Sequence, residues 1–443
     1  MKTIAAKMGW TAYTACRSLS EKRLPFLPAE ELQARQSARL RAIVEHAWAH
    51  IPYYRSWLRD AGAEPGDIRS AEDLRKLPLI NKLKLTREPG LFSDPQYEQR
   101  DGLTMLSSGT SGLRRTLRHD ARALFDALAA GRRQRIALAR VIGREAGYKE
   151  AVLNREGSAG MQIRSFWEKL LYTPRKIELS RTRLCTSLPF EEILAGLNAF
   201  KPDVLRGFGS HLGAFLRWVH QRGLPFHKPL AITYGADAMS AADRLFIEQE
   251  MRIPVVSTYQ AVEALRIAFQ CEERRGFHLS LDQVAVRVVD NEGRDVAPGE
   301  RGELILSNLT NRATVVLNYR LGDMVTLASG PCGCGRTLPL IDSIDGRLDD
   351  LIARPGGSSV HALAVIPLLQ AVPGVYQLQI IQEDLEDFRI RVVWAHCEDR
   401  SQELCARMAR VLGDRIHVQV EPVDYIEMES SGKVKTLISM VNR

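Results

Sequence analysis

The 443-residue sequence has no long apolar run and few cysteines. Its apolar runs are interrupted well short of the ~20 residues that a bilayer-spanning helix needs. The cationic N-terminus lacks a continuous apolar core followed by a small-residue cleavage site, so no secretory signal is indicated. The seven cysteines are odd in number and unevenly spaced, which excludes a disulfide framework. We therefore expect a soluble, cytoplasmic protein with no membrane partner, in which clustered cysteines bind metal.

A strong charge of one sign is also missing. The net charge of +8 is the difference between 61 basic and 53 acidic side chains that are scattered along the chain. One basic cluster could suit nucleic acid, but it lacks interleaved aromatic residues and a docking motif. It consists of Arg132, Arg133, Arg135 and Arg140. We interpret this cluster as the solvated face of a helix and expect no nucleic-acid partner.

Length and patterning predict an α/β protein of more than one domain. A chain of 443 residues exceeds the size at which one hydrophobic core keeps growing. After a helical segment that starts near residue 31, helical patterns alternate with short β-rich runs, which favours a largely parallel sheet. Strand and turn patterns alone fill 284–327, which predicts a β-rich subdomain. A composition break at IDGRLDD then separates a large N-terminal domain, 1–348, from a small α+β domain, 349–443.

The segment LSSGTSGLRRT, residues 106–116, has the composition of a phosphate-binding loop. Small residues let the backbone approach a ligand, and successive N–H and hydroxyl groups can surround phosphate oxygens. The segment lacks the Gly-Lys-Ser/Thr ending of the P-loop, and taken alone such a turn is more typical of a flexible loop. The role of this loop therefore has to be inferred from other segments of the sequence.

Six further motifs follow this loop in order: YGAD (234–237), STYQAVE (257–263), GELILSNL (302–309), YRLGDM (319–324), GRLDD (346–350) and SSGK (430–433). Together they resemble the adenylate-forming acyl-CoA synthetase superfamily, and within it the phenylacetate-CoA ligase branch with its capsular-polysaccharide-type relatives. HAWAHIPYYRSWL and KPDVLRGFGSHLGAF are similar to that branch too, so the resemblance covers nearly the whole chain. It implies the superfamily's fold, in which the small C-terminal α+β domain is mobile.

The resemblance also implies an activity. Such enzymes join a carboxylic acid to ATP, release pyrophosphate and pass the acyl group from the acyl adenylate to coenzyme A. Because carboxylate and triphosphate are both anionic, the site needs hydrogen-bond donors, a cation and Mg²⁺. A carrier-protein thiol or an amine is an alternative acceptor, and a nucleotide-binding scaffold without turnover is an alternative function. A homodimer is also left open.

Individual roles follow from the matching motifs. Tyr259 would stack on adenine, Glu263 would hold Mg²⁺, and Asp323 would accept hydrogen bonds from both ribose hydroxyls. The adenine and acyl pocket would be lined by Gly235, Ala236 and Asp237. The phosphate donors would be Ser107, Ser108, Gly109, Thr110, Ser111 and Gly112.

The remaining implied roles lie near or in the small domain. Arg347 would contact the ribose and phosphate, and Asp349 would be the hinge. Lys433 would be the adenylation lysine, a mobile charge that reaches the carboxylate and α-phosphate when the domain closes. It is therefore the principal catalytic candidate, together with Glu263.

The sequence departs from the family pattern at two motifs. Leu113 stands where the family loop carries lysine, and Arg114 and Arg115 follow it. An arginine can replace the charge of lysine but not its geometry. In the second motif Gln260 replaces a glycine and Val262 replaces a hydroxyl residue, which removes a potential phosphate ligand. Nucleotide affinity and Mg²⁺ geometry depend on these positions.

A second group of residues predicts a structural zinc site. Cys332 and Cys334 form a tight Cys-Gly-Cys pair, and Cys271 and His278 precede it by about 50 residues in FQCEERRGFH. Three cysteines and one histidine make a closed zinc site with no open position for catalysis, and some phenylacetate-CoA ligase relatives carry a similar one. The alternative is a set of reduced side chains with ordinary packing.

The acid itself is not identified by the sequence. Phe208 and Tyr234 lie in segments that should line the acyl pocket, and they favour an aromatic or otherwise flat acid. Aromatic residues are equally common in a hydrophobic core, so the identity of the acid stays open.

Overall fold

The structure, a computed structural model, describes residues 2–106, 115–172, 180–348, 351–394, 399–426 and 435–441. The helices are α1 Lys2–Ser20, α2 Ala29–His50, α3 Pro52–Asp60, α4 Lys82–Arg87, α5 Ala121–Ile142, α6 Ala159–Leu170, α7 Phe190–Phe200, α8 Gly209–Gln221, α9 Ala241–Leu245, α10 Ile366–Gln370 and α11 Ser401–Leu412. Within the described ranges, none of them is both long and apolar enough to cross a membrane.

The strands are β1 Gly102–Leu106, β2 Thr116–Asp120, β3 Lys149–Asn154, β4 Ser180–Cys185, β5 Val204–Gly207, β6 Ala231–Gly235, β7 Val255–Tyr259, β8 Ala268–Phe269, β9 Phe277–Leu279, β10 Val284–Val289, β11 Arg301–Asn308, β12 Tyr319–Leu327, β13 Leu340–Arg347, β14 Leu351–Ala353, β15 Ser359–His361, β16 Val375–Gln382, β17 Asp387–Trp394, β18 His417–Pro422 and β19 Leu437–Ser439. The mixture of helices and strands confirms the predicted α/β class.

The chain divides into two compact units. Unit 1 comprises Met1–Tyr148, Glu156–Leu179 and Val256–Asp345, and unit 2 comprises Lys149–Arg155, Ser180–Val255 and Gly346–Arg443. The C-terminal segment is thus grouped with part of the central chain, and the domain division predicted at residue 349 stays a prediction.

In unit 1 the strands run in the order β10-β11-β12-β13-β9-β8-β7. The first three are antiparallel neighbours and span 284–327, so the β-rich subdomain predicted there is confirmed. Helices α2 and α3 cover this part, and their buried stripe includes Leu40, Val44 and Tyr54. The Tyr54 hydroxyl donates to the Val315 carbonyl at 2.9 Å, so the one polar atom of this ring is satisfied inside the core.

Helix α5 carries the arginine cluster, and one member contradicts the predicted solvated face. Arg133 is 2% exposed, and its guanidinium binds Asp282 through two parallel hydrogen bonds of 2.7 and 2.9 Å. Its Nε donates to Glu21 at 2.5 Å. A buried guanidinium is tolerated because carboxylates from other segments neutralise it. Arg135 and Arg140 are exposed, as expected.

In unit 2 four parallel strands run in the order β6-β5-β3-β4, which confirms the predicted parallel sheet. Helices α7 and α8 contribute Leu197, Leu212 and Phe215 to its core, all with no exposed surface. Glu150 on β3 is also buried, and it binds Arg206 at 2.8 Å. Charge neutralisation across adjacent strands therefore accompanies the apolar packing.

The C-terminal part of unit 2 has its own sheet and core. Four strands form one sheet in the order β18-β17-β16-β19, and the β14-β15 hairpin forms a separate two-stranded sheet. Helices α10 and α11 share a hydrophobic core with these strands. Leu369, Ile390 and Leu404 are fully buried there. The predicted strands VYQLQIIQ, FRIRVVW and IHVQVEP correspond to β16, β17 and β18, and the predicted helix SQELCARMARVLG to α11, so the α+β prediction is confirmed.

Candidate functional site

Several predicted site residues lie outside the described residues: Ser107, Ser108, Gly109, Thr110, Ser111, Gly112, Asp349 and Lys433. Their roles stay predictions. The other predicted nucleotide residues of the STYQAVE and YRLGDM motifs lie in unit 1, as does the cysteine and histidine set. YGAD and Arg347 lie in unit 2.

Two predicted nucleoside contacts are neighbours in unit 1. Tyr259 is the last residue of β7, and Asp323 lies within β12. The Tyr259 hydroxyl donates a hydrogen bond to Asp323 Oδ2 at 2.5 Å, and each residue is 8% exposed. Hydrogen bonds to a charged acceptor are among the strongest in proteins. The bond therefore fixes the tyrosine ring relative to the carboxylate.

Gly322 shapes the backbone immediately before Asp323. Its φ of +79° is a conformation that residues with a Cβ rarely adopt. A Cβ at this position would also lie 2.1 Å from Nζ of Lys82. The glycine of YRLGDM thus permits both the left-handed backbone conformation within β12 and the close approach of a cationic side chain.

Glu263 lies in a turn that follows β7. Asn308 Nδ2 donates to the Glu263 carbonyl oxygen at 2.9 Å, and His119 Nε2 lies 2.7 Å from the Val262 carbonyl oxygen. Burial lowers the pKa of His119, so the ring is neutral near pH 7 and Nε2 carries the proton that it donates. Glu263 Oε1 lies 3.2 Å from Nε of Arg115, and the two residues are 3% and 6% exposed.

The Glu263 carboxylate faces a guanidinium in this turn, and its buried Oε1 makes no hydrogen bond within the part of the chain that the structure describes. Magnesium prefers near-octahedral oxygen ligands, commonly one or two carboxylates together with phosphate oxygens. Here the carboxylate already faces a guanidinium, and Val262 offers no hydroxyl oxygen. The Mg²⁺ role of Glu263 stays a prediction.

The YGAD motif in unit 2 holds the start of a helix. The Asp237 carboxylate accepts hydrogen bonds from the backbone N–H groups of Gly209 at 2.5 Å and Ser210 at 3.2 Å, and from the Ser210 hydroxyl at 2.5 Å. These are the first residues of α8, so Asp237 satisfies otherwise unpaired N–H groups and complements the helix dipole. Ala236 has φ of 71°, a strained value for a residue with a Cβ. Gly235 ends β6.

Arg347 is the last residue of β13. Its carbonyl oxygen accepts a hydrogen bond of 2.9 Å from His361 Nε2, on β15. The backbone of this residue is therefore anchored to the β14-β15 hairpin of unit 2, while the contact of its side chain with ribose or phosphate stays a prediction.

The predicted metal ligands come together in unit 1. One ligand atom from each of Cys271, His278, Cys332 and Cys334 lies within 4.8 Å of all the others. The Cys271 and Cys332 Sγ atoms are 3.7 Å apart, and Cys334 Sγ is 3.4 Å from His278 Nε2. With zinc bonds of about 2.3 Å to sulfur and 2.0 Å to nitrogen, a tetrahedron puts two sulfurs ~3.8 Å apart and sulfur ~3.5 Å from nitrogen. The four side chains fit zinc.

The surroundings of these residues also suit a metal. Burial lowers the pKa of His278 to about 4, so the imidazole is neutral. Its Nδ1 lies 3.4 Å from the Leu338 carbonyl oxygen, the kind of outer partner that orients a ligating histidine. Burial raises the pKa of Cys271 to about 12. Burial acts in the same direction on Cys334, but hydrogen bonds from the Arg336 backbone and guanidinium outweigh it and lower the Cys334 pKa.

Comparison with known proteins agrees with the fold and the motifs. A family model described as the CapK C-terminal domain matches residues 352–440. The phenylacetate-coenzyme A ligase of Thermus thermophilus is 27% identical over 424 residues, 90% of each chain. That of Aromatoleum evansii is 27% identical over 333 residues, 73% of this chain and 72% of its own.

Among solved structures, a 2-hydroxyisobutyryl-CoA ligase in the postadenylation state with R3-HIB-AMP matches with a TM-score of 0.73 at 18% identity, covering 94% of this chain and 91% of its own. The predicted fold of an adenylate-forming ligase is therefore confirmed. The predicted similarity to the phenylacetate-CoA ligases is confirmed as well.

The sequence interpretation missed three features of the site. It did not foresee the pairing of Arg115 with Glu263, although the arginines after Leu113 were a signal of changed charge there. It also missed Arg336, which lies two positions after Cys334 and lowers the Cys334 pKa. The capping role of Asp237 had no local signal, because the helix that it caps starts in a distant segment.

Proposed function

We propose that the chain activates a carboxylic acid with ATP and transfers the acyl group to coenzyme A. In the first half-reaction a carboxylate oxygen bonds to the α-phosphorus and pyrophosphate leaves. In the second, the coenzyme A sulfur bonds to the acyl carbon and AMP leaves. The observation that carries the proposal is the similarity of 90% of the chain to a phenylacetate-coenzyme A ligase. Mg²⁺ enters as part of the ATP complex.

The Tyr259–Asp323 hydrogen bond supports a nucleoside site in unit 1. A carboxylate held by a buried hydroxyl is a pre-oriented acceptor for ribose hydroxyls, and hydrogen bonds to a charged group contribute about 1.5–3 kcal/mol each. The Tyr259 ring, fixed by its own hydroxyl, offers one face to adenine. These two residues therefore bind and orient the nucleotide and take no part in bond making.

Adenylation brings two anions together, and the proposed charge for this step is Lys433. A single ammonium placed at the carboxylate and α-phosphate acts strongly once water is excluded. We assign it to a mobile domain, 349–443, that turns at Asp349 against the nucleotide-binding domain, 1–348. The match of residues 352–440 to a separate C-terminal domain family supports this division. Phosphate donors from 107–112 complete the proposed site.

The acceptor and the acid define the remaining proposals. Coenzyme A is the favoured acceptor because the curated relatives are coenzyme A ligases, and a carrier-protein thiol or an amine is the alternative. Phe208 and Tyr234 are buried beside the segments predicted to line the acyl pocket, which favours a flat acid.

Zinc at the four-ligand cluster is proposed to be structural, because all four tetrahedral positions are filled by protein.

Acid-dependent exchange of pyrophosphate into ATP tests the proposed function. Arylacetic, benzoic and short hydroxy acids are screened singly, with and without coenzyme A, and thioester is detected by mass spectrometry. At least one acid should drive exchange without coenzyme A and yield a thioester with it. Exchange without thioester would favour another acceptor. No exchange with any acid, in protein that still binds ATP, would favour the scaffold.

A further inference from the structure

The Arg115–Glu263 ion pair is buried at a carboxylate for which a divalent cation is predicted. Nε of Arg115 and Oε1 of Glu263 are 3.2 Å apart, and their side chains are 7% and 4% exposed. A buried carboxylate is stable as an anion only with a compensating charge or hydrogen bonds. Arg115 supplies the compensating charge from within the chain, and it directly precedes β2.

The surrounding sequence changes are consistent with an exchange of cations. Leu113 removes the positive charge of the family's loop lysine, and Val262 removes an oxygen next to Glu263. Arg115 adds a positive charge two positions after the lost lysine. A guanidinium is always protonated and binds carboxylate and phosphate oxygens through a fixed set of donors. A positive charge at the end of the loop sequence is thus kept while its source changes.

We propose that Arg115 is a resident cation of the nucleotide site, where it takes the electrostatic place of a divalent cation at Glu263. This inference rests on the proposed function, because it takes Glu263 to lie at the nucleotide. Glu263 then positions Arg115 and does not bind metal. The chain's affinity for nucleotide depends on Arg115 and only weakly on a divalent ion.

The first test measures metal binding without nucleotide, acid or coenzyme A. Zinc-replete protein is titrated with Mn²⁺, a spectroscopic substitute for Mg²⁺, and bound ion is followed by electron paramagnetic resonance. Arg115→Gln leaves an unpaired buried carboxylate and should gain a Mn²⁺ site that the wild type lacks. The double variant Arg115→Gln/Glu263→Gln is the matched control and should lose that site again. Equal Mn²⁺ binding by the wild type and Arg115→Gln would overturn the proposal.

The second test measures ATP affinity by calorimetry in EDTA and in excess Mg²⁺. Wild-type affinity should differ by no more than about threefold between the two conditions. Arg115→Gln should lose roughly tenfold or more in EDTA, the scale for one hydrogen bond to a charged group, and recover with Mg²⁺. Unchanged affinity in EDTA would mean that the ion pair only supports the fold and would overturn the proposal.

Thermal unfolding separates these effects from misfolding. Each single variant, Arg115→Gln or Glu263→Gln, breaks the buried ion pair and should melt at a lower temperature than the wild type, whereas the double variant removes both charges and should regain most of the loss. If Arg115→Gln does not fold, Arg115→Lys, which keeps the charge, takes its place, and its ATP affinity in EDTA should stay close to that of the wild type. Loss of that affinity with the charge retained would overturn the proposal. Failure of the proposed function is seen separately, as absent pyrophosphate exchange in the wild type.

Discussion

Replacing Cys332 and Cys334 by serine removes two of the four groups that surround the proposed zinc position. Zinc acts there as a cross-link, because Cys271 and Cys332 are separated by 61 positions and their sulfurs are 3.7 Å apart. For a loop of that length the chain-entropy relation gives about 4 kcal/mol. For a unit of this size, 1 kcal/mol corresponds to a shift in Tm of roughly 2–4 °C, so the double variant should melt about 10 °C lower.

The assay combines metal analysis with calorimetric unfolding. Wild-type protein, purified without added zinc or chelator, should carry close to one zinc per chain, and Cys332→Ser/Cys334→Ser should carry almost none. Cys185→Ser/Cys405→Ser is the matched control, because both of these cysteines lie outside the cluster. It should keep its zinc, and its Tm should stay within about 2 °C of the wild type, the range of ordinary surface substitutions.

Two results would refute this reasoning. Wild-type protein with far less than one zinc would show that the four side chains pack as reduced groups. Zinc retained by the double variant would place the metal elsewhere. Loss of zinc without loss of stability would refute the cross-link argument alone, since the ligand assignment would stand.

Three further changes test the nucleotide site, the adenylation step and the YGAD motif. Asp323→Ala should weaken ATP binding by roughly 2–4 kcal/mol in calorimetry, because acceptors for ribose and for Tyr259 are lost; unchanged affinity would contradict its role. Lys433→Ala should lower acid-dependent pyrophosphate exchange by about 10² or more, while thioester formation from preformed adenylate survives; equal loss in both would contradict an adenylation-specific role. Asp237→Ala should lower the free energy of unfolding by about 1–2 kcal/mol in denaturant titration, whereas Asp237→Asn, which keeps an acceptor, should lose less; no loss in either would contradict the capping role.

The sequence predicted local features of the fold well where a pattern repeats over several residues. The alternation in VYQLQIIQ matches β16 at both ends, and the strand and turn pattern of 284–327 matches β10 to β12. Period-two and period-3.6 patterns report burial directly, so such elements are readable from one sequence. The grouping of Cys271, His278, Cys332 and Cys334 was readable because thiols and imidazole in this composition have few uses other than metal binding.

Features that depend on distant contacts were not readable. Arg133 has the sequence surroundings of a solvated helix residue, yet it is buried because Glu21 and Asp282 come to it from other segments. The hydrogen bonds from the first N–H groups of α8 to the Asp237 carboxylate were not foreseen either, while the assignment of Asp237 to a ligand pocket stays a prediction. In both cases the partner that decides the role is set by tertiary packing, which residue type and spacing do not encode.

The pairing of Arg115 with Glu263 bears on whether the altered motifs mark an enzyme or a scaffold. If the chain no longer acted on nucleotides, the changes at Leu113, Gln260 and Val262 would not be expected to compensate one another. Glu263 would then be a buried charge that costs stability, since an unpaired buried charge costs several kcal/mol. Instead the carboxylate is kept, and a guanidinium from the altered loop region lies 3.2 Å from it. Changes that remove a cationic residue from the loop sequence and pair another with the buried carboxylate preserve the positive charge that two anionic substrates require, which favours turnover over a scaffold.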